Sequence, residues 1–345
     1  MAKRIAVVLF NLGGPDDLDA VQPFLFNLFN DPAIIDLPNP FRWLLARFIS
    51  FRRAPVAKKI YSHLGGKSPL LELTGHQAKA LENVLGDVGD VKCFIAMRYW
   101  HPMTVQAAEE VAQFAPDEIV LLPLYPQFST TTTGSSLTEW SRAAEVVGLS
   151  VPTKAICCYF DDDQWIDAQV DGIKGVLAEI DVNETVRILF SAHGLPKKIV
   201  DRGDPYQRHV EGTVSGIVKE LAPDQDWAIC YQSRVGRLEW IGPSTENELE
   251  RAADDGVQVI VVPVAFVSEH SETLVELDIE YRELAEKLGI SGYHRVPAVG
   301  VNEKFISGLS QLVKRALNQN NTMCSGTKDG QRRCETALSK CPLQV

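Results

Sequence analysis

Two strand-and-turn segments of this chain occur twice, in the same order, and that repeat leaves few architectures open. VVLFNLGGP (7–15) is echoed by ILFSAHGLP (188–196), and IVLLPLYPQFS (119–129) by VIVVPVAFVS (259–268). Each is a continuous apolar run that stops at Gly, Pro or a small polar residue, as a parallel strand buried on both faces does. Similar runs lie at 93–97, 153–158 and 227–231. Segments of helical period alternate with them near 76–85, 105–114, 137–147, 163–179, 206–221, 246–255, 272–287 and 303–317. Strand–helix alternation in two matching halves predicts an α/β fold of two similar doubly wound domains with parallel sheets. A chain of 345 residues is long enough for two such cores. The expected division is 1–165, 166–321 and a polar tail, 322–345, the last helix being a candidate to pack back on the first domain.

In open α/β sheets ligands sit at the carboxyl ends of the strands, so two such domains facing one another would form a central cleft. His193 is at such an end, followed by Gly194, which lets the backbone be approached closely. A lone histidine at a turn is ordinarily a packing residue, and the alternative is a proton carrier near neutral pH. Gly13–Gly14 lacks the spacing of a dinucleotide loop, and Pro15 removes a backbone donor. STTTTGSS (129–136) reads equally as an anion loop ahead of a helix or as an N-cap built from Ser135 or Ser136.

On a helix starting near Ser271, Glu272, Glu276 and Glu280 lie four apart and share a face. Leu274, Leu277 and Tyr281 are then left for the core. Like charges at that spacing are mildly unfavourable unless solvated. Glu269, His270 and Glu272 crowd the mouth of this helix, and His with Glu suits a first-row divalent metal.

The segment 24–53 is rich in Phe, Leu and Ile but holds neither period for long, and Pro32, Pro38 and Pro40 interrupt it. It is either core or an exposed apolar lip (21–64 with its flanks) suited to a flat hydrophobic ligand or a membrane surface. Arg52 and Arg53 at its end could meet carboxylates or lipid phosphates.

A formal net charge of −11 argues against a nucleic-acid partner. No run of about 18 apolar residues exists to span a membrane. The apolar stretch 5–10 is too short for a signal peptide. Seven cysteines without an export signal predict a reducing, cytoplasmic setting.

With NLGGP, LYPQFSTTTTGSS, FSAHGLP, YQSRVGRLEWIGPST and VSEHSETLVELDIEY in order, the chain closely resembles the ferrochelatase family from about residue 5 to 317. The resemblance implies two Rossmann-like domains of the chelatase type. It also implies insertion of ferrous iron into a porphyrin, protoporphyrin IX being the expected substrate. It places the essential histidine and glutamate, both candidates for catalysis and for iron, on His193 and Glu272. It places the acidic column on Glu276 and Glu280. The porphyrin-pocket positions fall on Leu12, Tyr61, Ser68, Arg98, Tyr99, Tyr125, Trp240 and His270. The apolar arm matches the family's lip, often membrane-facing. A pyrrole proton is expected to pass to His193. The residues leave open whether the lip touches a membrane, whether the chain pairs as a homodimer, and which porphyrin is preferred. A cobalt or nickel chelatase and a two-lobed haem carrier are the alternative readings.

The tail carries Cys324, Cys334 and Cys341. Zinc would fit three thiolates and a fourth ligand. The family resemblance instead implies a [2Fe–2S] cluster on three tail cysteines and one distant cysteine. The spacing here is wider than in the animal proteins, and Thr130 stands where their distant cysteine lies. Cys157 and Cys158 are the candidates for the fourth ligand, with Cys158 preferred.

Overall fold

The computed structural model describes residues 2–222, 224–234, 236, 238–326 and 331–343, and the chain divides into two compact units. One holds the residues up to Cys157 together with Leu309–Cys324. The other holds Cys158–Gly308 together with the residues from Ser325 onward.

The first unit contains β1 (Arg4–Asn11), α1 (Val21–Phe29), α2 (Phe41–His63), α3 (Leu70–Val84), β2 (Asp90–Met97), α4 (Thr104–Phe114), β3 (Glu118–Pro123), α5 (Ser135–Val147) and β4 (Thr153–Ile156). The second contains α6 (Asp163–Leu177), β5 (Val186–His193), α7 (Lys197–Val200), α8 (Tyr206–Lys219), β6 (Asp226–Gln232), α9 (Thr245–Asp254), β7 (Gln258–Pro263), α10 (Tyr281–Lys287) and β8 (Tyr293–Arg295). Helix α11 (Glu303–Asn318) runs from the second unit into the first, and β9 (Met323–Cys324) follows it.

Both sheets are wholly parallel. Their strand orders are β2-β1-β3-β4-β9 and β6-β5-β7-β8. The winding is the same in each: the leading strand lies second from the edge, its successor on one side and the third strand on the other. The repeat in the sequence is thus a repeat of topology, and the β1/β3 and β5/β7 seams are the switch points where ligands gather. Strand burial explains the unbroken apolar runs, since Ile5–Phe10 are at most 1% exposed.

Four expectations are corrected. The division near residue 165 moves to Cys157–Cys158; residues 309–324 join the first unit, in keeping with a last helix that packs back on the first domain, and β9 there pairs with β4 through Ala155↔Met323 and Ile156↔Cys324. The apolar arm is not irregular: it forms α1 and the 23-residue α2, with Pro32, Pro38 and Pro40 all in the connection between them. Its period is hidden because α2 is apolar on its outer side too. Phe41, Trp43, Leu44, Phe48, Phe51 and Val56 are 43–66% exposed. The acidic helix begins as a π-helix, Glu272–Glu280, and becomes α-helical only at Tyr281. Finally, neither Ser135 nor Ser136 caps a helix. Ser129 caps the π-turn Thr130–Gly134, its Oγ accepting from the Thr131 N–H at 3.1 Å.

Candidate active site

His193 is the last residue of β5, at the β5/β7 switch point of the second unit. Its Nδ1 is 2.6 Å from the Gly194 carbonyl, which accepts only, so that nitrogen carries a proton. Nε2 therefore faces outward, 3.4 Å from Glu272 Oε1. The other oxygen of Glu272, Oε2, lies 3.0 Å from His270 Nε2. One carboxylate thus stands between two imidazoles at the mouth of a wide helical turn. π-turns are rare and concentrate at functional sites.

The site holds its protons unequally. Burial alone would lower the His193 pKa, but the charges of Glu272 and Glu276 raise it to about 9. Burial pushes the Glu272 carboxyl up, yet His193 and His270 overcome this and hold it well below the usual carboxylate range. The pair rests as imidazolium and carboxylate. Glu276 moves the other way, raised by burial and by the charge of Glu272.

Glu276 is fixed by groups that sequence reasoning missed. Gln232 Nε2 donates to it at 2.9 Å and the Ser233 N–H at 2.8 Å, with the Ser233 hydroxyl on the same carboxylate. Gln232 is held in turn by the Ser191 hydroxyl, which donates to its Oε1 at 2.8 Å. Ser233 has φ of 61°, a left-handed conformation unusual for serine. Such strain persists where surrounding contacts demand it, and here the N–H is aimed at Glu276. Glu280 is exposed, so the column runs from a half-buried pair out to solvent. Tyr206 is a further missed neighbour: it is buried, and its hydroxyl accepts a hydrogen bond from the His193 backbone. None of these carries a local signature, because each acts only through a residue distant in sequence.

Gly194 is required by close packing. A Cβ there would stand 2.8 Å from the Gln232 carbonyl oxygen and 3.2 Å from Trp240 Cε3. The Trp240 ring is thereby placed directly against Gly194, the residue that follows His193.

The first unit collects the other candidate positions. By the repeat, Leu12 corresponds to His193. It packs against both the cluster containing Tyr61 and Tyr99 and the cluster containing Tyr125. Gly14 touches Ser68, whose Cβ would be 2.5 Å from an added Cβ. Tyr99 presents a buried ring, its hydroxyl donating to Asp31 at 2.8 Å. Arg98 is held from both ends, by Asp31 at 2.8 Å and by the Ser135 hydroxyl at 2.7 Å. Buried Asp31 thus organises this corner, and nothing in its local sequence marks it.

Cys334 and Cys341 share a side-chain hydrogen bond that lowers the Cys341 thiol to about 6 despite burial. Cys324, on β9, stands beside Cys157, whose N–H donates to the Cys324 carbonyl at 2.8 Å. Among the described residues, no three His, Cys, Asp or Glu side chains are gathered as a metal cage.

Comparison with known proteins agrees with this geometry. The family model for ferrochelatase matches residues 4–317. A ferrochelatase of Caulobacter vibrioides is 50% identical, over 100% of this chain and 99% of its own length. One of Hyphomonas neptunium is 51% identical over 99% and 95%. Among solved structures, SirB from Bacillus subtilis with Fe3+ superposes with a TM-score of 0.53 at 15% identity, covering 92% of this chain and 96% of that one. That likeness bears on the fold alone. Full-length identity of one residue in two, together with a histidine–glutamate pair at the switch point, leaves a single assignment: this chain belongs to the ferrochelatase family.

Proposed function

We propose that the chain is a metal-inserting lyase. It would place ferrous iron into protoporphyrin IX, giving protohaem and two protons, the last step of haem synthesis. The observation that carries the reading is the His193–Glu272–His270 constellation at the end of β5. A free-base porphyrin has two pyrrole protons that must leave as the metal enters. His193 can take one only through Nε2, because Nδ1–H is held by Gly194. In the resting pair Nε2 is already protonated. A cation arriving at Glu272 cancels the charge that keeps the proton there, and the His193 pKa falls. The released proton has a raised-pKa acceptor in Glu276, with exposed Glu280 beyond it. His193, now neutral, can act as general base toward the pyrrole.

The test is an anaerobic absorption time course with protoporphyrin IX and ferrous iron. Many turnovers per chain are expected, with a loss of about 10²–10⁴-fold in His193→Ala, the usual worth of a positioned general base. Stoichiometric binding without turnover would favour a carrier, and an unimpaired His193→Ala would remove the histidine from the mechanism.

Two further parts of the reading concern setting. The proposed location is the cytoplasm, with peripheral contact between α2 and an anionic bilayer surface. The exposed arginines Arg47, Arg52 and Arg53 interleave with Phe48 and Phe51 on that helix, as an interfacial helix requires. Among the described residues, no helix is long and apolar enough to cross a membrane. A [2Fe–2S] cluster is proposed on Cys158, Cys324, Cys334 and Cys341. The soft, adjacent sulfurs of Cys334 and Cys341 are the donor type it needs. Iron and acid-labile sulfide analysis of anaerobically isolated protein tests it.

A further inference from the structure

The tail folds onto the first turn of α8, close to His193, through contacts that the proposed reaction does not use. The Arg332 guanidinium donates to the carbonyls of Cys334, Glu335, Leu338 and Leu343, at 2.9 to 3.0 Å, and so holds 334–343 as a closed loop. This loop brings the Cys334 and Cys341 sulfurs together, and neither is in a disulfide. Its outer edge grips the turn ahead of α8. The Lys340 N–H donates to the Gly203 carbonyl at 3.1 Å, and the Ser339 hydroxyl donates to that of Arg202 at 3.4 Å. Gly203, with φ of 94°, leaves no room for a Cβ, which would stand 2.8 Å from the Ser339 nitrogen. On the other side of Tyr206, His209 Nε2 lies 3.1 Å from Cys334 Sγ, its ring stacked on Phe160 at 4.0 Å. Between these two grips sits Tyr206, whose hydroxyl meets the His193 backbone.

We infer that Cys334 and Cys341 form a peroxide-oxidisable dithiol whose closure clamps the α8 turn carrying Tyr206. One thiolate attacks an oxygen of hydrogen peroxide. The O–O bond breaks, hydroxide leaves, and a sulfenic acid forms. The second sulfur attacks that sulfur, the S–S bond forms, and its hydroxyl leaves as water. Overall two thiols and one peroxide give one disulfide and two waters. Closure locks 334–341, the ring that contains Ser339 and Lys340, and so holds Arg202, Gly203 and His209 in one arrangement. A sulfur bound to iron cannot take part, so this chemistry belongs to the cluster-free chain, and it does not depend on the porphyrin reaction.

The experiment uses full-length protein, grown with limited iron and shown to lack acid-labile sulfide, treated with an equivalent of hydrogen peroxide. Trypsin cuts after Arg333 and Lys340. The disulfide therefore appears as peptide 334–340 linked to 341–345, released by dithiothreitol and absent from Cys341→Ser. Amide exchange over 203–209 is expected to slow by about tenfold on oxidation, as for a local opening made harder, and to recover on reduction. The linked peptide, its release by dithiothreitol and the exchange are all read on the unmutated chain, with Cys341→Ser only a control, so a poorly folded variant does not spoil them. Oxidation to separate sulfinic acids, or pairing of either cysteine with a different thiol, overturns the dithiol. A correct link with unchanged exchange over 203–209 overturns the clamp.

Discussion

At the level of single residues, the protonation of one imidazole decides the chemistry. The His193 pKa is raised to about 9 in the folded chain, against an ordinary value of about 6.5. Its ion pair with Glu272 therefore adds stability that is complete below about pH 6.5 and is lost as the pH rises through 9. Imidazole NMR of the ligand-free protein should show that late titration. In Glu272→Gln the charge that opposes burial is gone, so the His193 titration should fall to neutral pH or below. The drop in stability between pH 6.5 and 9 should shrink with it. An unchanged titration in that variant would locate the cause elsewhere. His193 itself was legible from its place in a repeated strand end. Gln232, Ser233, Tyr206 and Asp31 were not, because each is defined by a partner 13 to 104 positions away.

Elements add what residues alone do not. The end of β5 depends on Gly194: Gly194→Ala drives a methyl to within 2.8 Å of the Gln232 carbonyl oxygen and against the Trp240 ring. Overpacking of this kind costs about 1–3 kcal/mol. A loss of that size in denaturant unfolding, with a displaced Trp240 emission, is the expected outcome. Helix α2 is the opposite case, an element with an apolar face left open. Phe48 and Phe51 are 62% and 66% exposed. Burying one Phe in an apolar environment gains about 1.5–3 kcal/mol, so Phe48→Ser with Phe51→Ser should weaken binding to anionic vesicles by at least about tenfold. Turnover in detergent should be kept, since neither residue belongs to the His193 constellation. Equal vesicle binding by the double variant would discard α2 as the contact. The π-helix is a third case. An i, i+4 pattern of glutamates predicts a helix there, and the widened turn emerges only where Glu272 and Glu276 find His193, His270, Gln232 and Ser233.

For the whole molecule, the tail changes standing between sequence and structure. Residues 322–345 read as a polar extension with cysteines, yet β9 completes the first sheet and pairs with β4. Truncation after Asn321 should uncover the β4 edge, a hazard that parallel sheets normally cover. Lower thermal stability and concentration-dependent aggregation are expected, and a truncated chain as stable as the full one would show β9 to be dispensable. The sequence by itself determined two matching doubly wound halves, because continuous apolar strands and their terminal turns are local features that recur in order. It also determined that a histidine ends one such strand. Tertiary structure alone decided that Glu272 would lie between two imidazoles, that Asp31 would hold Arg98, and that the two- and three-residue strands β9 and β8 would form. Short elements have too few residues to show a period, and an ion pair exists only once the fold has brought distant side chains within a few ångströms.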